Sequence, residues 1–336
     1  MIGNPILRLP CQLGIPLFGR TPFLLRRTGR SPMRRTVLWS ILQLAALPFS
    51  ISGQAPAQDR HMTTVAMRPH HGTRVIVAVK VNGAGPYDFM LDTGATFTVV
   101  DADLTEELKL PIDGSVTIHS FAGVSAGWRS QAGEITVGDL TVKNVDIVSM
   151  MKPLPESGIP GIRGILGENF LHHFDLLIDN QHRQVSLDIG AGLAASLNGD
   201  HLVITSASTS AERDEYLRPR VMVSIEDVGE AKVLFDSGAN ELILFRWGNP
   251  FSPAIDGGGL EMINGKLLCN SEQRKVHFSR HNVSEVDVAT CLSAAVRPGS
   301  NEGILPTAMF KQVFFSHAAS YVIINPVVSH GGIGSR

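Results

Sequence analysis

The sequence predicts an all-β chain built from two related lobes, and three observations carry that expectation. Apolar residues make up 43% of the 336 residues, but aromatics only 6%, beside 33 Gly and 19 Pro. That balance favours short strands and frequent turns over long helices. The length fits about two domains at roughly 150 residues each. Short alternating apolar runs recur between turn residues, and one set of landmarks occurs twice in the same order. Lys plus Arg number 29 and Asp plus Glu 31, so the net charge is 29 − 31 = −2. This excludes a strongly basic nucleic-acid surface and an acidic disordered chain. Three cysteines exclude a disulfide framework and a four-cysteine zinc site.

The front end reads as an address. Residues 1–32 are basic, broken by Pro and Gly, and without periodicity. Met33 is followed by Arg34 and Arg35, then by the apolar run Thr36 to Phe49, then by the small-residue site Ala55-Pro56-Ala57. A positive start, an apolar middle and a small-residue cleavage site form a secretory signal peptide. Residues 1–57 are therefore expected to be leader, with the start at Met33 and cleavage near Ala57, which predicts a periplasmic or secreted protein. The run falls short of the about 20 residues that span a bilayer, and membrane association is expected only if the leader is kept as an anchor. The Arg pair alone is weak evidence for a twin-arginine signal.

After the leader the chain says the same thing twice. Phe89-Met90-Leu91-Asp92-Thr93-Gly94-Ala95 recurs as Val233-Leu234-Phe235-Asp236-Ser237-Gly238-Ala239. Gly164-Ile165-Leu166-Gly167 recurs as Gly303-Ile304-Leu305-Pro306. The spacing from Asp to the second motif is 164 − 92 = 72 in the first copy and 303 − 236 = 67 in the second. Each second motif is followed by a Phe, Phe170 or Phe310, and then by an apolar strand, Phe174 to Ile178 matched with Tyr321 to Ile324. On that matching the second copy ends near Asn325-Pro326 without the returning strand that Gln184 to Leu187 gives the first.

In order along the chain, Arg74 to Val81 alternates and ends at Asn82-Gly83, a turn signal before the strand that leads to Asp92. Ile135-Thr136-Val137, Gly138-Asp139 and Leu140-Thr141-Val142 form a hairpin pattern. Residues 70–190 are expected to be the N-terminal lobe, 191–217 a linker rich in Ala, Ser and Thr, and 218–328 the C-terminal lobe.

An apolar strand that ends in Asp, a hydroxyl residue and Gly presents a carboxylate at a tight corner. Gly allows the turn and leaves amide N–H groups aimed at the acid. The hydroxyl of Thr93 or Ser237 can bond backbone across the junction. If the lobes face each other about a pseudo-two-fold axis, Asp92 and Asp236 meet. Two carboxylates about 3 Å apart share one proton, and their titrations split. The ionised partner is then a general base toward water, and the protonated one an acid toward a carbonyl oxygen.

These residues resemble the pepsin and retropepsin aspartic peptidases, whose marks are Asp-Thr/Ser-Gly and, in the same lobe, two apolar residues and Gly packed behind it. The resemblance covers about residues 72–328. It implies acid-protease-type β-barrel lobes with a catalytic cleft between them, Asp92 and Asp236 as the catalytic pair, and Thr93, Gly94, Ser237 and Gly238 in support. It also implies a flap over the substrate. The candidate is Ser120 to Trp128, with Phe121, Gly123, Gly127 and Trp128 as contact residues. The segment contains no tyrosine, so Trp128 would do the closing. The corresponding Asn264 to Cys269 has lost most glycines, so one flap is expected. Pro306 in place of Gly puts the packing behind Asp236 in question. Ala95 and Ala239 follow the glycines where pepsin-like members often carry a hydroxyl, which predicts a milder acid optimum than a stomach enzyme.

Other features weigh less. His70-His71 and His172-His173 are adjacent pairs with no third ligand at metal spacing, and neither metal nor cofactor is expected. Gly161 to Gly167 lacks the Lys-Ser/Thr of a phosphate loop. Cys269 and Cys291 are either a disulfide or two buried thiols. Asp175 and Asp179 read as turn residues. The function expected is an aspartic endopeptidase acting on peptide or protein substrates, not nucleic acid, for which a monomer is sufficient. The alternative is a catalytically inactive peptide- or partner-binding protein on the same scaffold.

Overall fold

Alternation, not helix propensity, organises the chain. The computed structural model describes residues 61–69, 72–121, 123–151, 161–205, 218–248, 258–262 and 265–328. The expected leader, Met33, Ala57 and the His70-His71 pair lie outside the described residues.

The first lobe runs β1 (Met62–Ala66), β2 (Ile76–Val81), β3 (Ala84–Leu91), β4 (Thr98–Val100), α1 (Ala102–Glu107), β5 (Ile112–Ser120), β6 (Gly123–Val137), β7 (Leu140–Met150), β8 (Gly164–Leu166), α2 (Glu168–Leu171), β9 (Asp175–Asp179) and β10 (Gln184–Asp188). Then come α3 (Gly192–Ser196), β11 (Leu197–Asn198) and β12 (His201–Val203). The second lobe runs β13 (Arg220–Ile225), β14 (Gly229–Asp236), β15 (Leu242–Trp247), β16 (Gly258–Met262), β17 (Gly265–His277), β18 (Val283–Ser293), β19 (Glu302–Pro306), a 3-10 turn at Thr307–Met309, β20 (Gln312–Ser316), β21 (Tyr321–Ile324) and β22 (Val327–Val328).

Each lobe closes a barrel. In the first, β2-β3-β8-β4-β7-β6 form a ring that closes by pairing β6 back to β2, and β5 extends from β6 as an arm. In the second, β13-β14-β19-β15-β18-β17 close by pairing β17 to β13, with β16 extending from β17. Closure removes free sheet edges and turns alternate residues inward. Val77, Val79, Val81, Phe89, Leu91 and Ile135 fill the first lobe, and Val221, Val223, Val233, Phe235 and Leu244 the second. The Asn82-Gly83 turn takes the φ > 0 backbone its residues suit (φ 51° and 78°).

A third sheet joins the lobes, in the order β1-β10-β9-β20-β21-β12. Strands β9 and β20 pair antiparallel at its centre, with Ile178 opposite Val313. This sheet corrects the strand matching read from the sequence. The equivalent of β9 is β20, and Tyr321 to Ile324 is the returning strand that the second copy was expected to lack. The error arose because two apolar tetrads follow each other in both copies and the second copy replaces α2 with a shorter 3-10 turn. The sheet also reaches past the expected limits. Strand β1 precedes residue 70, and β12 lies in the stretch expected to be linker yet pairs with β21. Residues 206–217 lie outside the described residues.

Pro306 keeps its place. It pairs with Asp236 at the end of β19 and is buried, with φ −72°, the angle its ring imposes. Gly303 keeps the close packing, since a Cβ there would collide with the Ile243 carbonyl oxygen.

Cys269 and Cys291 face each other in register on β17 and β18 and are joined as a disulfide. The bridge closes a loop with a sequence separation of 22, for which chain entropy gives about 3 kcal/mol of stabilisation. Reduction is expected to lower the thermal midpoint of the protein by that equivalent. A fluorimetric melt that is unchanged by reductant, with free thiols counted to prove reduction, would contradict it.

Candidate active site

Each Asp corner is built by the same local device. Strands β3 and β14 run apolar and buried into the acid, then the chain turns at a hydroxyl residue and Gly. The Gly94 amide donates to Asp92 Oδ1 at 2.9 Å, and the Gly238 amide to Asp236 Oδ1 at 2.7 Å.

The corners meet across the lobe seam. The Thr93 hydroxyl donates to the Phe235 carbonyl at 2.7 Å and accepts from the Ser237 amide at 3.1 Å. Reciprocally, the Ser237 hydroxyl donates to the Leu91 carbonyl at 2.7 Å and accepts from the Thr93 amide at 3.1 Å. Four buried hydrogen bonds thus lock the two turns, and each hydroxyl uses both its donor and its acceptor capacity. Both glycines are required by proximity. A Cβ on Gly94 would stand 2.6 Å from Asp236 Cγ, and one on Gly238 2.9 Å from Asp92 Cγ. Each carboxyl therefore lies over the opposite glycine.

This brings Asp92 and Asp236 within hydrogen-bonding reach of each other. Burial pushes the Asp92 carboxyl well above the ordinary range, and repulsion from Asp236 pushes it further. Burial also raises Asp236, against the pull of the Gly238 amide, the hydrogen bond from Asp92 and the positive charge of Arg218. Burial thus pushes both carboxyls toward the protonated form, and the two acids titrate as a coupled pair.

The arm β5–β6 carries the flap candidates. Phe121 at its tip stacks on Phe245 of the second lobe, with ring centroids 4.1 Å apart at 17°. The Ser293 hydroxyl donates to the Phe121 carbonyl at 2.7 Å. Phe121 packs on the cluster of Ile243, Phe245, Cys269, Cys291 and Ile304, which Ala239 also joins. The arm is thus tied to the residue that follows Gly238. Trp128 stands away from the tip of the arm. It pairs with Ser115 and Ser149 far down the arm and lines a cavity of about 480 Å³ with Thr105, Leu110, Ile112 and Met150, which the dyad does not reach. The contact with the second lobe is made by Phe121, which sits at the tip of the arm.

Gly127 is a packing residue, since a Cβ would stand 2.8 Å from Val148 Cγ1. Gly123 closes the hairpin opposite Ser120. The second lobe has its own arm, with β16 pairing Gly258 to Met262 against Cys269 to Gly265. Two arms are present, unlike the single flap expected from the loss of glycines. Its glycines stand on β16, at Gly258 and Gly259, and at the start of β17, at Gly265, rather than within 266–269.

Two residues near the dyad went unnoticed in the sequence. Arg218 Nη1 approaches the Gly94 carbonyl at 3.5 Å, and Arg74 is half-buried, with Asp236 and Asp92 as the charges that act on it. Their spacing could have revealed them: 218 − 74 = 144 and 236 − 92 = 144.

His172 and His173 turn their Nδ1 atoms to the Glu168 and Phe170 carbonyls, which is local helix bonding. Asp179 accepts from the His182 amide at 2.9 Å as a turn residue. Asp175 is buried within β9 and bonds the Ser316 hydroxyl at 3.1 Å.

Residues 77–170 match the family model described as aspartyl protease. A solved retropepsin-like aspartic protease from Rickettsia conorii is similar at 17% identity, covering 39% of this chain and 92% of its own, with a TM-score of 0.29. No curated protein matches. The matched segment holds Asp92 and its second motif, and the barrel it forms is repeated in the rest of the chain. The first lobe is thus similar to the aspartyl protease family over residues 77–170, and the second lobe repeats its barrel and its Asp corner.

Proposed function

We propose that this chain is an aspartic endopeptidase acting on extended peptides, with Asp92 and Asp236 as the catalytic pair. The observation that carries the reading is the cross-lobe lock of Thr93 and Ser237, which sets two buried acids side by side. A water between the acids loses a proton to the ionised carboxylate as its oxygen attacks the peptide carbonyl carbon. The protonated carboxyl gives its proton to the carbonyl oxygen. The tetrahedral diol then collapses, the C–N bond breaks, and the amine leaves with a proton from the pair. Atoms and charge balance with no metal and no covalent enzyme intermediate. The arm tipped by Phe121 covers the peptide, which lies in the cleft as an added strand.

A binding protein without catalysis would have no use for such a pair, since buried acids that repel each other cost stability. The disulfide at Cys269 and Cys291 supports a place outside the cytosol.

The test is the purified protein with an internally quenched peptide library, with and without a statine-type inhibitor. Inhibitor-sensitive cleavage is expected, with a pH–rate maximum above about pH 3, milder than a pepsin-type dyad with values of about 1.5 and 4.7. A library left intact from pH 3 to 7 would overturn the reading.

A further inference from the structure

The tip of the first arm is held from the other lobe at two points. The last pair of the β5–β6 hairpin is Ser120 with Gly123, so Phe121 lies in the turn, past the end of the ladder. Its ring stacks on Phe245, and its carbonyl accepts from the Ser293 hydroxyl at 2.7 Å. In the parallel register of β15 and β18, Phe245 stands beside Cys291 and Trp247 beside Ser293. Side chains two apart on a strand point the same way, so Phe245, Cys291 and Ser293 share one face. That face lies outside the barrel, whose interior is filled by the alternate residues Leu242, Leu244 and Val288. Ile243, Cys269, Ala289 and Ile304 complete the patch, and Ala239, three residues past Asp236, packs on it. The Cys269–Cys291 disulfide ties β17 to β18 within it.

Ser293 serves this contact as well as its own lobe. Its side chain is fully buried. The hydroxyl accepts from the Ala295 amide at 3.1 Å, which settles the chain after β18. A hydroxyl has a single proton to donate, and this one goes to a carbonyl 172 positions away in the other lobe. The stack on Phe245 fixes where the tip rests, and the bond to the Phe121 carbonyl fixes which way its turn faces. The grip closes on the same patch that Ala239 joins, beside the Asp236 corner.

We propose that Ser293 is a positioning residue for the peptidase reaction, which acts from the second lobe through the Phe121 carbonyl to latch the first arm over the cleft. This rests on the endopeptidase reading above. The latch and the stack define the closed state, in which a peptide is retained between the arm and the two acids. Their release lets peptide in and products out. Without the hydroxyl the tip loses one of its two holds, and a bound peptide escapes more often before it is cut. The acids and their lock are untouched, so a complex that closes reacts at its former rate.

The experiment uses the purified protein and one cleavable quenched peptide. Ser293→Ala is expected to raise KM about tenfold, the effect of leaving a buried carbonyl without its donor. Over the same change kcat is expected to move by less than about threefold, the pattern of lost binding rather than lost chemistry. Damage to the fold does the reverse, lowering kcat by the inactive fraction while KM stays. Phe121→Ala, at a half-buried tip that belongs to neither barrel, is expected to raise KM in the same manner. The arm is also followed apart from activity, with nitroxides on unnatural side chains at the exposed positions Val124, beside the tip, and Met222, on β13. Dipolar distance spectra are expected to gain a longer, open population in both variants, with the open-to-closed ratio raised about tenfold. A Ser293→Ala spectrum identical to wild type, or a fall in kcat at constant KM, overturns the proposal while the peptidase reading stands. If wild type cuts no peptide, the peptidase reading falls, and the distance spectra decide the latch by themselves: a shift upholds Ser293 as the hold on the arm, and no shift overturns it.

Discussion

Asp92→Asn and Asp236→Asn are each expected to reduce kcat by at least about a hundredfold, the lower end of what a positioned acid or base contributes, and to leave the fold intact. Asn is nearly isosteric with Asp and can still accept from the Gly94 or Gly238 amide. It cannot supply or take up the shared proton. A second effect separates this account from a merely structural role for the acids. Asp92 titrates above its ordinary value in the folded protein. Between the unfolded value near 3.9 and the folded one, the native state holds more protons than the unfolded chain. Stability is therefore lost as pH rises through that window. Asp92→Asn removes the titration, so the variant is expected to melt higher than wild type at pH 7 and to lose the advantage near pH 3. Melting curves at both pH values, set beside cleavage rates, check the two effects together. A variant that keeps wild-type turnover removes the dyad from the mechanism.

The second large effect is expected far from the dyad, at a buried ion pair that crosses the lobes. His317 Nε2 stands 3.1 Å from Glu168 Oε2, and both side chains are shielded from solvent. The N–H lies off the line of a well-aligned hydrogen bond, so the contact is chiefly one of charge. The other ring nitrogen, Nδ1, lies 2.6 Å from the Phe174 carbonyl, which can only accept. A ring that must donate on one side and meet a carboxylate on the other is held as the imidazolium. The groups that face it are Glu168, Asp175 and, more weakly and with the same sign, His172. Burial lowers the His317 pKa, but Glu168, the Phe174 carbonyl and Asp175 together raise it above the ordinary value.

The sign of the pH effect follows. The stabilisation is complete below the unfolded value of about 6.5 and fades as pH rises through the higher folded value. His317→Leu leaves Glu168 buried without its counter-charge and is expected to cost about 3–5 kcal/mol. Replacing both residues with Leu is expected to cost much less. Urea unfolding of the two variants from pH 5 to 9 checks this. Equal losses in the single and double variants, or a wild-type stability that rises between pH 6 and 9, would exclude the ion pair as the cause.

Much of the fold could be read from the residues because alternation and turn chemistry are local. The Asn82-Gly83 turn, the hairpin around Gly138-Asp139 and both Asp corners needed only their neighbours. The four hydrogen bonds of Thr93 and Ser237 were legible as a type, since the same triplet recurs with the same flanks. Long-range pairing hid the rest. Nothing near Glu168 or His317 announces their partnership, which exists only because β9 lies beside β20. The order of the last two strands is not legible, because periodicity cannot rank two successive apolar runs once the helix before them shrinks. Trp128 is the larger aromatic, but position along the arm decides reach, and Phe121 sits at the tip. Arg74 and Arg218 were visible as a repeat of the spacing between the two acids, yet arginine carries no motif of its own.

The arm that ends in Phe121 has a consequence for direction. A ring of two identical halves gives a polypeptide no reason to prefer one heading through it over the reverse. Here one half lends its longer arm to the other, the tip rests on Phe245, and the opposite arm is built from different residues. Entry with the amino end first and entry with the carboxyl end first are then different events with different energies. On the endopeptidase reading, joining two copies in one chain makes the cleft handed, and its left and right can evolve separately.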